Sequence, residues 1–363
     1  MRSRFSRLAG LLLLVSGPTA CRARPSNVAA DASARVPTAL VHFIGRFDTR
    51  EPGRPRFGWP GSAIAATFTG AGIDVTLVDA GTNYFAVVID GGRPTVLSTS
   101  SAEQTYSLAS SLGAGQHTLV LTKKTESEVG VVTFLGLSPR GGALVPSPEA
   151  TNRRIEVIGD SISCGYGDLG SSASCPFSAA TEDETITYGA LAAAQLGAEV
   201  TVVAYSGIGM VRNGDGSTTN VMPDRYDRTL ADDPNSRWAF PSPAPDVVVV
   251  NLSTNDFARG DPGSAFQRAY VAFLRTLRGH YPAARIVATS SPLLDGLPRA
   301  AADAYIEGAV AQVTGAGDAK VSYLAFDAQQ AIHGFGCDYH PSPSTHVLMA
   351  TKLVAAIKAV TGW

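Results

Sequence analysis

The segment that most restricts the possible folds of this chain is residues 246–252, DVVVVNL, which contains four consecutive valines. An apolar run without alternation is typical of a strand that is buried on both faces. Further short apolar runs stand at residues 154–158, 199–204, 284–290 and 320–326. Helical patterns lie between or after these runs, at residues 264–280, 299–313 and 345–360. Strands that alternate with helices predict a parallel sheet covered by helices on both faces.

Another helix is predicted to begin at the capping box of residues 181–184, TEDE, and to end at Leu196, before Gly197. In the last helix Ser344, directly after Pro343, is the predicted N-cap. Ligands of parallel sheets bind beyond the carboxyl ends of the strands. The residues that follow each strand are therefore the candidates for a functional site.

The first part of the chain, residues 38–140, has short strands and no good helical period. Ile73, Val75 and Leu77 alternate with more polar residues, which is the pattern of a half-buried strand. Other strands are predicted at residues 39–45, 62–69, 83–90, 117–122 and 129–137. Many short strands with Gly- and Pro-containing turns predict a β-sandwich of the jelly-roll kind. Residues 141–152 are rich in Pro, Gly and Ser and are the predicted linker to a second domain, residues 153–363.

The N-terminus has the pattern of an export signal. Three arginines precede the apolar run of residues 8–15, and small residues follow as far as Cys21. The sequence before Cys21 is similar to a bacterial lipoprotein cleavage site, so we expect residues 1–21 to be a signal peptide and Cys21 to be lipidated. A short N-terminal helix is the alternative. Residues 22–37 lack an apolar period and are predicted to be a flexible tether.

The predicted localisation follows from this segment: an exported protein, either secreted or held as an outer-membrane or cell-surface lipoprotein. No later segment is apolar for long enough to span a bilayer, so a lipid anchor is the only membrane contact expected. The formal net charge of −2 gives no electrostatic basis for binding nucleic acid.

The stretch GDSISCGYG, residues 159–167, follows the first apolar run of the second domain. It is either a glycine-rich turn or a loop that holds a nucleophilic Ser161 beside free backbone N–H groups. Gly207 and Gly209 follow the next strand, where two glycines let backbone N–H groups turn toward a ligand or simply form a turn. Asn255 follows the valine run; its side chain either donates to an oxyanion or closes the strand in an Asx-turn.

His340 lies in the segment CDYHPS, residues 337–342, near the C-terminus. Pro341 disfavours a helical conformation at His340, so the imidazole is presented from an extended loop with Asp338 two residues before it. This suits a general base for a serine hydroxyl, although a structural histidine is the alternative. Asp338, His340 and His346 fit no common zinc spacing, so no metal site is predicted. The G-x-S-x-G motif of α/β-hydrolases is excluded, because Ser163 occupies its last glycine position.

Four cysteines are present. If Cys21 is acylated, Cys164, Cys175 and Cys337 remain, and they can form at most one disulfide. Cys164 with Cys175 is the local choice, but the sequence leaves the pairing open.

Taken together, these segments resemble the SGNH (GDSL-like) hydrolase superfamily. The whole chain after about residue 40 resembles carbohydrate esterase family 2, the acetylxylan esterase-like enzymes. That resemblance implies an all-β jelly-roll domain followed by an α/β SGNH hydrolase domain with a flavodoxin-like parallel sheet flanked by helices. The stretches that carry it are GRFD (45–48), GWPGSAI (58–64), NYF (83–85), FLGL (134–137), GDSISCGYG (159–167), CPFS (175–178), TYGALAA (187–193), YSGIGM (205–210), PDRYDRTL (223–230), PDVVVVNLSTNDF (245–257) and GCDYHPS (336–342).

By motif, the resemblance implies Ser161 as the nucleophile and His340 as its base. The oxyanion donors would be the N–H groups of Ser161 and Gly207 and the side chain of Asn255. The acid that the superfamily places three residues before the histidine is replaced here by Cys337. Asp338 is then the candidate third member of a triad, unless a backbone carbonyl orients His340.

Three other positions depart from the core motifs or flank them. Ser253 stands where the third motif usually has glycine. Asp160 and Tyr339, each next to one of the catalytic candidates, are assigned to substrate binding.

The activity that the resemblance implies is removal of acetyl groups from a polysaccharide, xylan or another hemicellulose, through an acyl-serine. No metal or organic cofactor is expected, the expected partner is the acetylated polysaccharide, and the protein is expected to be a monomer. Two alternatives stay open. One is a lipase or thioesterase on the same scaffold, and the other is a non-catalytic glycan-binding surface lipoprotein.

Overall fold

The structure is a computed structural model that describes residues 40–147, 151–240 and 242–363. The predicted signal peptide with Cys21, and the predicted tether, lie outside the described residues. Within the described residues, no helix is both long and apolar enough to cross a membrane.

The N-terminal region consists of two antiparallel sheets, as predicted. The strands in chain order are β1 (Val41–Ile44), β2 (Arg56–Phe57), β3 (Ala63–Thr69), β4 (Ile73–Asp79), β5 (Tyr84–Ile89), β6 (Thr95–Ser98), β7 (Ala102–Ala109), β8 (Gln116–Lys123), β9 (Val132–Pro139) and β10 (Leu144–Val145). One sheet has the order β1-β3-β8-β5-β6, with β10 paired to β3, and the other has the order β2-β9-β4-β7. The alternating residues Ile73, Val75 and Leu77 of β4 are completely buried and pack with aromatic side chains such as Phe57 and Phe85.

The second region contains a five-stranded parallel sheet, as predicted. Its strands are β11 (Arg154–Gly159), β12 (Glu199–Ala204), β13 (Val247–Asn251), β14 (Arg285–Thr289) and β15 (Val321–Leu324). Their order in the sheet is β12-β11-β13-β14-β15. This is the flavodoxin-like order, in which the chain direction across the sheet reverses at the first strand. A ligand site is therefore favoured beyond the carboxyl end of β11.

Helices cover both faces of this sheet. The helices are α1 (Ser161–Cys164), α2 (Tyr188–Leu196), α3 (Met222–Arg225), α4 (Thr254–Phe257), α5 (Ser264–His280), α6 (Gly296–Gly315) and α7 (Pro343–Thr361). Short 3₁₀ turns occur at Ala179–Thr181, Glu184–Ile186, Ala331–His333 and Cys337–Tyr339. The apolar side chains of α5 and α6 pack in one core, and those of α2 and α7 pack in another.

Two predicted helix starts are wrong. The helix expected from residue 181 begins at Tyr188, because Thr187 is its N-cap and its hydroxyl accepts from the Ala190 N–H. The last helix begins at Pro343, because the Ser342 hydroxyl accepts the N–H of Thr345; Ser344 is therefore not the cap.

The two regions pack tightly against each other and form one compact unit. Arg46, which is completely buried, donates to the backbone carbonyl of Arg228 at 2.9 Å. The N–H of Glu184 donates to the carbonyl of Lys124 at 3.0 Å. The N-terminal β-region is thus joined to the parallel-sheet region by hydrogen bonds between the two.

Candidate active site

Three of the predicted site residues follow strands that lie side by side. In the parallel sheet, Gly159 at the end of β11 is aligned with Ala204 of β12 and with Asn251 of β13. The carboxyl ends of neighbouring parallel strands meet at one edge, with strands about 4.8 Å apart. Ser161, Gly207 and Asn255 therefore leave the sheet at the same edge.

Ser161 is held at the first position of α1, directly after β11. The Asp160 side chain caps this short helix by accepting the N–H of Ile162 at 3.1 Å. The N–H of Ser161 belongs to the first turn of a helix and has no intrahelical acceptor. Gly159 is required by close packing, since a Cβ atom there would lie 2.0 Å from Ser163 Oγ. The glycine of the GDS stretch therefore allows α1 to approach the end of β11.

The side chains of Ser161 and His340 are in direct contact, although they are 179 residues apart in the chain. His340 Nε2 lies 2.8 Å from Ser161 Oγ. On the other side of the ring, Nδ1 lies 3.2 Å from the backbone carbonyl of Asp338. A carbonyl only accepts hydrogen bonds, so this contact favours the tautomer with the proton on Nδ1. Nε2 is then free to accept the serine proton.

The carboxylate of Asp338 does not orient His340. It accepts instead from the Tyr166 hydroxyl at 3.0 Å and from the Phe177 N–H at 3.2 Å. The alternative in which the Asp338 carboxylate is the third member of a triad is therefore wrong in its geometry. The backbone carbonyl of the same residue takes that place.

The environment of His340 favours its neutral form. The Tyr166 ring packs against the imidazole at a centroid distance of 4.3 Å and stacks on Phe177 at 4.2 Å. Burial lowers the pKa of His340 below its ordinary value of 6.5. A neutral imidazole at pH 7 is the form that can accept a proton.

A disulfide joins Cys175 to Cys337, three residues before His340. The local pairing of Cys164 with Cys175 is wrong, because Cys164 is a buried free thiol. Backbone hydrogen bonds run beside the bridge: the N–H of Cys337 donates to the Gly167 carbonyl, and that of Asp338 donates to the Cys175 carbonyl. The segment that carries His340 is thus fastened to the loop that follows the GDS stretch.

The two further oxyanion-donor candidates lie on neighbouring loops. Gly207 has a positive φ of 74°, and its N–H has no acceptor among the residues that the structure describes. Asn255 uses one amide proton of Nδ2 to bind the Ile208 carbonyl at 2.8 Å, and the second proton of Nδ2 is available. The same Asn255 hydrogen bond ties α4 to the loop that contains Gly207. The role of Gly207 and Asn255 as oxyanion donors stays a prediction.

The two residues assigned to substrate binding differ in position. Asp160 is completely buried, so its assignment to substrate binding is not supported; it caps α1, and burial raises its pKa to about 7. Tyr339 is 62% exposed beside His340, and its assignment stays a prediction.

The residues considered as a metal set make separate contacts. His346 is completely buried, and its Nε2 pairs with Asp168 at 3.0 Å while its Nδ1 accepts the Tyr188 N–H at 3.1 Å. Since the Asp338 carboxylate binds Tyr166 and His340 binds Ser161, the three side chains do not converge. Ser253 is buried at the N-terminus of α4.

Comparison with known proteins agrees with this architecture. Residues 43–148 match the family model described as carbohydrate esterase 2 N-terminal, and residues 157–348 match the GDSL-like lipase/acylhydrolase family. A solved structure of a family two carbohydrate esterase from Clostridium thermocellum, in complex with cellohexaose, is 37% identical in sequence. The match covers 89% of this chain and 99% of that one, with a TM-score of 0.86. The chain belongs to carbohydrate esterase family 2.

Curated relatives of this chain agree with the family assignment. The cellulase/esterase CelE of Acetivibrio thermocellus is 38% identical over 326 residues, which cover 89% of this chain and 40% of CelE. The chain thus matches less than half the length of that relative. An acetylxylan esterase / glucomannan deacetylase of Cellvibrio japonicus is 28% identical over 97% of this chain and 98% of its own length.

Two carboxylates near the site were missed by sequence reasoning. Asp256 of α4 accepts the N–H groups of Met210, Val211 and Arg212 at 2.7–3.0 Å and so shapes the loop that follows Gly207. Its place next to Asn255 was a signal that could have been used. Glu126 of the β-region accepts the N–H of Ser206 at 2.7 Å. No local pattern in the sequence indicates a contact between residues 80 positions apart.

Proposed function

We propose that this family 2 esterase removes O-acetyl groups from polysaccharide through an acetyl-serine formed on Ser161. The observation that carries the proposal is the contact of His340 Nε2 with Ser161 Oγ at 2.8 Å, at the edge of the sheet where ligands bind. A serine hydroxyl is a weak nucleophile unless an adjacent base accepts its proton.

In the proposed reaction, His340 Nε2 takes the proton of Ser161 Oγ as this oxygen attacks the acetyl carbonyl carbon. The oxyanion of the tetrahedral intermediate is stabilised by the N–H groups of Ser161 and Gly207 and by the Asn255 amide. The His340 imidazolium, stabilised by the Asp338 carbonyl, gives its proton to the departing sugar oxygen. Water, deprotonated by His340, then attacks the acetyl-serine; acetate leaves, and Ser161 regains its proton.

The cavity beside Gly207 supports a carbohydrate substrate. It has a volume of about 400 Å³ and a largely polar lining that includes Asn213, Asp215 and Arg225. The Arg225 guanidinium packs over the Tyr205 ring at 4.1 Å, and both side chains line the cavity. Such a surface suits sugar hydroxyls, whereas a long acyl chain would need an apolar groove. The names of the Cellvibrio relative, acetylxylan esterase / glucomannan deacetylase, point to the same class of substrate.

We also propose that the protein is exported, either secreted or anchored through a lipid on Cys21, and that it is active as a monomer. Export rests on the basic and apolar pattern of residues 1–21, which lie outside the described residues. A monomer is supported because one chain supplies Ser161, His340, Gly207 and Asn255. Fatty-acid labelling that is lost in Cys21→Ala would test the lipid anchor, and light scattering of the purified protein would test the monomer.

The activity is tested by measuring acetate release from acetylated xylan and acetylated glucomannan. We expect release from at least one polymer by the wild-type protein and none by Ser161→Ala. Hydrolysis of octanoyl esters in preference to acetyl esters would favour a lipase instead. Binding of the polymer without acetate release would favour a non-catalytic glycan-binding protein.

A further inference from the structure

A carboxyl group of the β-region reaches the loop that carries the predicted oxyanion donor. Glu126 follows β8, and only 1% of its surface is exposed. Both of its carboxyl oxygens accept from Ser206: Oε2 from the backbone N–H at 2.7 Å and Oε1 from the hydroxyl. Ser206 directly precedes Gly207 in the chain. Ser206 thus donates two hydrogen bonds to one planar carboxyl group, and these bonds fix it directly before the N–H of Gly207.

We propose that Glu126 is a positioning residue, which holds Ser206 so that the N–H of Gly207 faces the oxyanion. The peptide bond between Ser206 and Gly207 is planar, so the direction of the Gly207 N–H depends on how Ser206 is held. Glycine at position 207 has wide conformational freedom, and its φ of 74° lies in the left-handed region. The Gly207 carbonyl accepts from the Gly214 N–H at 2.9 Å, and Asn255 binds the Ile208 carbonyl, but both contacts lie after the Gly207 N–H in the chain. Glu126 holds the residue before it. The inference rests on the proposed esterase mechanism.

Glu126 is itself held rigidly, as such a role requires. Its N–H donates to Glu182 Oε2 at 3.0 Å, and its carbonyl accepts from Lys123 Nζ at 2.8 Å. The Cys164 thiol, on α1 beside Ser161, donates to Glu126 Oε2 at 3.6 Å. Glu126 therefore contacts both the helix that carries the proposed nucleophile and the loop that carries the proposed donor.

A bound cation is a weaker explanation of the same cluster. Ligand atoms of Glu126, Cys164 and Glu182 lie within 4.8 Å of one another, in a buried position. The completely buried ammonium group of Lys123 already supplies a positive charge there. Burial raises the pKa of Glu182 well above its ordinary value. A proton on Glu182 removes one of the negative charges that a cation would need and leaves Glu126 to accept both hydrogen bonds from Ser206. Hydrogen bonding to Ser206 remains the function that the contacts support.

The proposal predicts a loss that is independent of the size of the substrate. Glu126→Ala should lower kcat by about 10- to 100-fold, because the N–H of Gly207 remains but is misdirected. Complete removal of an oxyanion donor typically lowers kcat more, by about 10²–10³-fold. The factor should be the same for 4-nitrophenyl acetate and for acetylated xylan, with KM within about twofold of wild type. A residue that only contacted the polysaccharide would affect the polymer alone.

Two further measurements separate positioning from simple stabilisation of the fold. Glu126→Gln should restore most of kcat, because its amide oxygen can accept the Ser206 N–H and its NH₂ group can donate to the hydroxyl. A boronic acid that forms a tetrahedral adduct with Ser161 should bind Glu126→Ala more weakly, by about the factor by which kcat falls. A variant that is only less stable would not lose boronic acid affinity and kcat by the same factor.

Matched controls are present in the chain. Glu103→Ala removes an exposed glutamate of β7 in the same β-region and should leave both substrates unaffected. Glu51→Ala removes an exposed glutamate that precedes β2 and should likewise leave both substrates unaffected.

The outcomes can be told apart. If the wild-type protein hydrolyses neither ester, the proposed function fails. If it does, and folded Glu126→Ala keeps wild-type kcat on both substrates, only the positioning role is overturned. If Glu126→Ala does not fold, Ser206→Ala, which removes one of the two hydrogen bonds, must lower kcat on both substrates, and an unchanged kcat overturns the proposal.

Discussion

Removing the disulfide between Cys175 and Cys337 should destabilise the protein strongly while leaving much of its activity. The perturbation is the double variant Cys175→Ser, Cys337→Ser. The bridge joins residues 162 positions apart, so it closes a loop of nearly half the chain in the unfolded state. A cross-link of this length restricts the unfolded ensemble far more than the folded one.

The size of the effect follows from the length of that loop. The chain-entropy relation gives a stabilisation of about 5 kcal/mol for a loop of this length at 25 °C. Typical proteins unfold with a free energy of about 5–15 kcal/mol, so the bridge accounts for a large share of the total. The catalytic loss should be smaller. The Cys337, Asp338 and Tyr339 N–H groups keep their hydrogen bonds to the Gly167, Cys175 and Ala173 carbonyls. We expect kcat of the folded variant to stay within about tenfold of wild type.

Urea unfolding followed by fluorescence measures the free energy of unfolding. The free energy of unfolding should fall by several kcal/mol in the double variant. Treatment with a reductant should lower the free energy of unfolding of the wild-type protein by a similar amount. Reductant should have no further effect on the double variant, which serves as the control for unrelated effects of the reagent. Coincident unfolding curves for oxidised wild type and the double variant would refute the reasoning.

Three other predictions concern the candidate site. Asn255→Ala should lower kcat by about 10²–10³ without loss of the fold, and an unchanged kcat in steady-state assays would remove Asn255 from the oxyanion site. Since burial lowers the pKa of His340 and the base must be neutral, kcat/KM should rise with pH through a midpoint below 6.5; a midpoint above 6.5 would contradict this environment. Asp338→Asn keeps the backbone carbonyl that contacts His340, so kcat should change by less than about tenfold. A loss of about 10⁴ in kcat, as follows removal of an orienting acid, would instead show that the Asp338 carboxylate is the third member of a triad.

Much of the fold could be predicted, because buried strands leave a clear mark on the sequence. The valine run of β13 and the alternation of β4 were located almost to the residue. Strand β7 was missed because it is mostly exposed, and its sequence AEQTYSLA is largely polar. The start of α2 was misplaced because TEDE forms turns whose backbone binds the β-region, a contact that no local pattern contains.

The candidate site was predictable where each residue follows a strand or sits in a recognised motif. Ser161 and His340, whose side chains are in contact, were predicted in this way, whereas the donor roles of Gly207 and Asn255 stay predictions. The disulfide partner of Cys175 and the contact of Glu126 with Ser206 could not be found, because both depend on how distant segments meet. The role of Asp338 could not be predicted from its residue type. Its identity suggested a carboxylate partner for His340, whereas the backbone carbonyl makes the contact, and any residue could supply that group.

The identity of the group that receives the acetyl is the most direct test. Protein quenched within milliseconds of mixing with 4-nitrophenyl acetate can be digested and analysed by mass spectrometry. We predict an acetyl group on Ser161 in the wild-type protein, and neither adduct nor acetate release in Ser161→Ala. An acetyl group carried by a different residue during turnover, or acetate release that continues in Ser161→Ala, would contradict the mechanism.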